Sequence, residues 1–113
     1  MTFDEYQLEA LRTVSGLSGA CADNMILNGA MGMCGESGEF MDILKKATFQ
    51  GHELDKEHLA KELGDVLWYV AVAARGLGYD LSTIAEMNKD KLRARYPDGF
   101  DSEKSRKRKK GDI

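Results

Sequence analysis

Asp55-Lys56-Glu57-His58-Leu59-Ala60-Lys61-Glu62-Leu63-Gly64-Asp65-Val66-Leu67-Trp68-Tyr69-Val70-Ala71-Val72-Ala73-Ala74 is the stretch that decides the fold. Asp55 is a good N-cap, with Glu57 and His58 in the first turn. Leu59, Leu63, Val66, Leu67, Val70 and Ala74 then repeat at helical spacing. Residues 66–74 are apolar almost all round, the pattern of a helix buried on several sides. Arg75-Gly76-Leu77-Gly78 closes the segment, and Gly78 suits the left-handed residue that ends many helices.

Upstream, a second helix is expected over about Asp23 to Thr48, where Met25, Ile26, Met33, Phe40, Met41, Ile43 and Leu44 are apolar. Gly29, Gly32, Gly35 and Gly38 fall three apart within it. An isolated glycine costs a helix about 1 kcal/mol against alanine, so a broken helix is as compatible with these residues as a continuous one. Small residues also let another backbone, or a ligand, come close. Gln50-Gly51-His52 ends the segment. Nearer the N-terminus, Thr2 and Glu5 have capping-box spacing. Phe3, Tyr6, Leu8, Leu11 and Val14 form a stripe that predicts a helix from about Phe3 to Leu17. Downstream, a fourth helix is predicted from Asp80 or Ser82 to Arg95. Tyr96-Pro97 stops it, because proline disfavours helix in the residue before it. Nowhere do apolar and polar residues alternate over a useful length, so the fold class is all-α with four helices. Residues 1–100 read as one domain and residues 101–113 as a basic tail without structure.

The chain has 113 residues, 42% hydrophobic and 31% charged, with one proline. That composition suits an ordered, helix-rich domain. A chain this short buries only about two-thirds of its unfolded surface, so self-association is expected. The net charge of −3 hides an asymmetry. Residues 101–113 carry six basic and three acidic side chains, while residues 1–100 carry 10 basic against 16 acidic. An acidic body argues against a broad nucleic-acid face and points to carboxylates gathered for metal. Cys21 and Cys34 make neither a disulfide framework nor a zinc set; they read as small buried hydrophobes in a reducing cytosol. No apolar run approaches the roughly 20 residues a membrane span needs. Met1-Thr2-Phe3-Asp4-Glu5 lacks the basic and apolar regions of a signal peptide, so a cytoplasmic protein is expected.

Two acidic pairs carry the chemistry. Glu36 and Glu39 lie three apart in Gly35-Glu36-Ser37-Gly38-Glu39, and Glu62 and Asp65 lie three apart in the opening stretch. At that spacing each pair projects from one helical face. The 22 residues between Glu39 and Glu62 hold a helix end, a connection and a helix start, so antiparallel packing would bring the pairs together. A single acidic pair is usually only solvated. Four converging carboxylates repel unless cations neutralise them, and oxygen ligands with open, watered positions suit Mg²⁺ or Mn²⁺. The neighbouring glycines and Ser37 leave room for a hydrated cluster. On the fourth helix Asn88, Lys91 and Arg95 share a face, beside Lys89, Arg93 and Tyr96. They read either as phosphate donors or as a solvated face complementing the helix C-terminus. Tyr69, one turn after Asp65, reads as a base-stacking ring or as a core aromatic, and Trp68 as core. His52 and His58 read as surface or cap residues. Lys45 and Lys46 read as solvated, with phosphate contact the alternative.

Three stretches together resemble the MazG-like family of all-α nucleoside triphosphate pyrophosphohydrolases. They are Gly35–Glu39, then Glu62-Leu63-Gly64-Asp65-Val66-Leu67-Trp68-Tyr69, then Asn88-Lys89-Asp90-Lys91-Leu92-Arg93-Ala94-Arg95-Tyr96-Pro97-Asp98-Gly99-Phe100. The likeness spans roughly residues 25–100 in order and matches the ExxE and ExxD signature in full. It implies hydrolysis of NTPs or dNTPs to monophosphate and pyrophosphate. It implies Glu36, Glu39, Glu62 and Asp65 as Mg²⁺ ligands, with Glu36 and Glu39 in the catalytic role and Glu39 the group that orients or deprotonates water. It implies Asn88 and Lys91, then Arg95, Tyr96 and Tyr69, as substrate contacts. It implies a homodimer or homotetramer whose helices enclose the site. On this reading the glycine series and the apolar stretch 66–74 mark close helix contacts and an interface.

Rival readings stay within reach of the same residues. Phosphoribosyl-ATP pyrophosphohydrolases and dimeric dUTPases share the superfamily's acidic ligands, though the RYPDGF ending favours the MazG-like branch. A nucleic-acid- or protein-binding module rests only on the Lys104–Lys110 run, whose ordinary reading is a solvated tail. A non-catalytic nucleotide-binding relative is disfavoured by the presence of all four acids.

Overall fold

The computed structural model describes all 113 residues. It is all-helical: α1 (Phe3–Leu11), a 3₁₀ turn (Ser18–Ala20), α2 (Ala22–Phe49), α3 (Lys56–Gly76), α4 (Leu81–Arg95) and α5 (Ser102–Arg106). No helix is long and apolar enough to cross a membrane. The chain divides into two compact units, residues 1–81 and 82–113.

In the first unit, α2 and α3 form an antiparallel pair. Positions rise along α2 as their partners fall along α3: Ala22 lies against Gly76, Gly29 against Ala73, Gly32 against Tyr69. The glycines set the closeness. A Cβ on Gly29 would lie 2.6 Å from the Ala73 Cβ, one on Gly32 2.2 Å from the Tyr69 ring, and one on Gly76 2.8 Å from the Ala22 carbonyl. The four-glycine series therefore leaves α2 unbroken, because its first half is bought back by close packing. Gly35 and Gly38 face open space. At the start of α3 the Asp55 carboxylate accepts from the His58 N–H at 3.0 Å, and Gly78 ends the segment at φ +84°, both as expected.

α1 departs from its sequence reading. The capping box forms, with Thr2 and Glu5 exchanging hydrogen bonds at 3.1 and 3.3 Å. The helix stops at Leu11 instead of Leu17. There the backbone shifts to i→i−3 bonds and the Thr13 hydroxyl donates to the Ala10 carbonyl at 3.0 Å, a local competition that erodes helix. The expected stripe is also rotated: Phe3 and Leu8 are exposed, while Gln7 and Ala10 are buried. Gln7 is fully buried and fully used. Its amide donates to the Ala71 and Tyr79 carbonyls at 3.2 Å each, and its oxygen accepts from the Leu81 N–H at 3.0 Å. Trp68 is a core aromatic, as expected; its Nε1–H donates to the Ala10 carbonyl at 3.1 Å and the Thr13 hydroxyl at 2.9 Å.

The buried apolar set is small in volume: Ala10, Ala71, Val72, Ala73, Ala74 and Leu81. Ala71, Val72, Ala73 and Ala74 of the 66–74 stretch are thus spent inside the chain. Large apolar side chains remain exposed on α2 and α3, among them Leu27, Met31, Met41, Phe49 and Leu63. Both cysteines are exposed, which corrects their reading as buried hydrophobes: the α2 face carrying Cys34 is not the one that meets α3.

In the second unit α4 ends before Pro97 as expected, and Gly99 turns the chain at φ +95°. The Tyr96 and Phe100 rings then meet at 5.4 Å. Residues 101–113, expected to lack structure, are placed with regular features. Asp101 caps α5 by accepting from the Glu103 N–H at 2.9 Å, and Asp112 returns to Arg95. The physical reason is that ion pair, which no local periodicity announces.

Candidate metal centre

The antiparallel register that packs Gly32 on Tyr69 carries the helices, one turn further, to Glu36 on α2 and to Asp65 and Glu62 on α3. One carboxylate oxygen from each of these three lies within 4.8 Å of the others. Glu62 is buried, Glu36 half-buried and Asp65 exposed. The Oε2 atoms of Glu36 and Glu62 are both buried with no donor to receive. Ionised carboxylates only accept, so the protein itself offers nothing to sit between them. A shared proton is one species that would satisfy both oxygens. Sharing it with Glu62, together with burial and the charge of Glu39, pushes the Glu36 carboxyl up to about 7. A divalent cation is the other species that satisfies both oxygens, and an all-carboxylate donor set suits a hard one. The residues present therefore fit the metal that the acidic signature implies.

Glu39 is exposed, outside the group formed by Glu36, Glu62 and Asp65, and acts on Glu36 through its charge. It opens onto a cavity of about 380 Å³ that Glu62 also lines. Lys46, His52 and His58 line the same cavity. The His58 N–H is capped by Asp55, and its Nε2 also meets Glu62 Oε1 at 3.1 Å. The i, i+4 spacing of His58 and Glu62 was the signal for that pair. Lys45 and Lys46 are both engaged by Asp42, at 3.2 and 2.9 Å. Tyr6 was read only as part of the α1 stripe. Its phenol is pushed up by burial and then by the Asp65 charge, which places α1 within the field of the acidic cluster.

Tyr69 is half-buried, packed over Gly32 and edge-on to Trp68 at 4.9 Å. That packing is what its reading as a core aromatic expects. Asn88 and Lys91 are exposed on α4, in the second unit. Arg95 is not free: its guanidinium is taken by Asp112 at 2.7 and 2.8 Å. Tyr96 is half-buried against Phe100.

Residues 28–100 match the MazG nucleotide pyrophosphohydrolase domain. That is well over half of the chain and includes all four acids, and the protein belongs to this family. It is also similar to the "Gene 37 protein" of Mycobacterium phage L5, 38% identical over 73 residues, which are 61% of this chain and 64% of the relative. The match thus spans less than two thirds of that relative's length. No solved structure matches the chain.

Proposed function

We propose that the protein is a Mg²⁺-dependent nucleoside triphosphate pyrophosphohydrolase, converting an NTP or dNTP and water to monophosphate and pyrophosphate. Family membership supports the reaction class. The observation that carries the site is the pair of buried, unmatched oxygens on Glu36 and Glu62 beside Asp65. Glu36, Glu39, Glu62 and Asp65 would hold Mg²⁺, with Mn²⁺ able to replace it. When bound, such a metal supplies neutralisation of phosphate charge and a lowered pKa for water.

The remaining steps belong to the chain. Buried Glu62 and half-buried Glu36 stay fixed, being held on two packed helices. Exposed Glu39 faces the cavity and is suited to orient the attacking water and take its proton. As the water oxygen bonds to the α-phosphorus, the bridge to the β-phosphorus breaks and pyrophosphate leaves. Asn88 and Lys91, the α4 positions that match the family's substrate contacts, would donate to phosphate oxygens. Arg95 and Tyr96 would join them only after leaving their present partners, and Tyr69 would add a contact from α3. Self-association, as a homodimer or homotetramer, would cover the apolar side chains exposed on α2 and α3. A nucleotide substrate implies a cytoplasmic setting.

The test is a panel of common NTPs and dNTPs with Mg²⁺ or EDTA, products being resolved, alongside Glu39→Ala. Monophosphate plus pyrophosphate, dependent on Mg²⁺ and lost in the variant, is the expected result. Diphosphate plus phosphate would refute attack at the α-phosphorus. Size-exclusion chromatography with light scattering checks the assembly.

A further inference from the structure

The second unit holds a strongly charged concavity of its own. A cavity of about 400 Å³ is lined by Lys91 and Arg95 of α4 and by Lys104, Lys107, Arg108 and Lys109 of the C-terminal segment. That volume falls in the range of about 300–1,000 Å³ typical of small-molecule sites. Six cations around one space repel unless an anion enters. The chain supplies one, Asp112, whose two oxygens take the Arg95 fork at 2.7 and 2.8 Å. The Arg95 side chain is 9% exposed, so the fork is held in place. A planar guanidinium offers phosphate the same two-pronged geometry it offers carboxylate. The Asp112 carboxyl is held below the usual range by Arg95 first, and also by the charges of Arg108 and Lys91. Lys107 is shared with Glu103 at 3.2 Å. Asp112 and Glu103 thus answer a cavity whose six cations outnumber them.

We propose that this cavity binds a small polyphosphate anion, inorganic pyrophosphate or the polyphosphate chain of a nucleotide, in competition with Asp112 and without a divalent metal. The shape favours a small anion over a nucleic acid. The lining is a pocket instead of an open stripe, and it includes no aromatic ring on which a base could stack. Residues 1–100 also carry a net negative charge, which a long phosphate backbone would meet unfavourably. Four of the six lining cations lie beyond residue 100, outside the stretch that matches the family. The proposal rests on this C-terminal segment, and Lys91 and Arg95 are the two side chains it shares with the hydrolase reading.

Isothermal titration of the full chain in EDTA tests it, using pyrophosphate, ATP, orthophosphate and a single-stranded oligonucleotide. Pyrophosphate is expected to bind, and orthophosphate about tenfold more weakly, having fewer oxygens to share among the cations. ATP binding as tightly as pyrophosphate assigns the site to the nucleotide-borne chain, and weaker ATP binding assigns it to the free anion. Arg108→Glu and Lys104→Glu should each weaken binding by about tenfold. Asp112→Asn should tighten it by about threefold, and Glu36→Gln and Glu62→Gln should leave it unchanged. Circular dichroism verifies that the variants keep their helices. Absence of binding in EDTA, indifference to both charge reversals, or an oligonucleotide binding where pyrophosphate does not would each overturn the proposal. An Asp112→Asn chain that binds no tighter would overturn the competition.

Discussion

The two ends of the α2–α3 pair are built from similar residues and behave oppositely. At one end Gly29, Gly32 and Gly76 let the helices close until an added Cβ would collide with Ala73, Tyr69 or Ala22. At the other, Gly35, Gly38 and Gly64 face open space, and Glu36, Glu62 and Asp65 converge instead of apolar atoms. The tight end is the support and the open end is the site. Carboxylates that repel one another stay close because the contacts one and two turns away hold the helices in register. Glycine thus has two meanings within one helix, close approach in one half and cleared volume in the other.

The largest expected effect breaks the open end alone. Glu62→Ala should cut Mg²⁺-dependent hydrolysis by about a thousandfold or more, as expected for losing several kcal/mol of transition-state charge stabilisation. The metal-free chain should keep its helices and melt no earlier, since one of the repelling carboxylates is gone. Steady-state kinetics and thermal melting read the two arms. A variant that melts early would make Glu62 a structural residue.

Next comes the support of the tight end. Gln7→Leu strands the Leu81 N–H and the Tyr79 carbonyl away from water, at a cost of about 2–3 kcal/mol. Urea unfolding should show the midpoint fall. An unchanged midpoint would mean that water reaches these groups.

The sharpest version of the comparison is one substitution made twice. Gly32→Ala should destabilise by about 1–3 kcal/mol, because the new methyl overlaps the Tyr69 ring. Gly35→Ala should stabilise the metal-free chain by up to about 1 kcal/mol, through helix propensity alone. Opposite shifts in melting temperature are expected from identical chemistry. Shifts of the same sign would show that Gly35 is also closed off, as by a second copy of the chain.

The smallest effect is the pH response of the open end. Glu36 holds its proton up to about 7 in the folded chain and releases it near the ordinary carboxylate range of about 4.3 when unfolded. Between those values the folded state binds more protons, so stability must fall as pH rises through this window. Metal competes with that proton, and affinity should rise up to about tenfold per pH unit until near 7. Melting curves without metal and titrations with Mn²⁺ across pH 5–8 check both directions. A flat metal affinity would separate Glu36 from the centre.

Much of this was legible in the residues. The N-cap at Asp55, the stop at Gly78, the capping box at Thr2 and the end of α4 at Pro97 are local rules, settled by each residue's own backbone preferences. The ExxE and ExxD pairs named the helical faces that gather the acids. The rotation of α1 onto Gln7 was not legible. A polar side chain with several distant partners looks, in sequence, like any exposed glutamine. Nor were the packing of Tyr69 on Gly32 or the return of Asp112 to Arg95.

By itself, then, the sequence determined the order of the four main helices and which carboxylates share a face, because those follow from spacing within a few residues. Only the tertiary structure decided which glycines are contacts and which are space, and which acids lack a donor. It also decided that the basic tail folds back on its own arginine. Those outcomes depend on the register between segments far apart in the chain, where a shift of one helical turn would leave every local pattern intact and take the site apart.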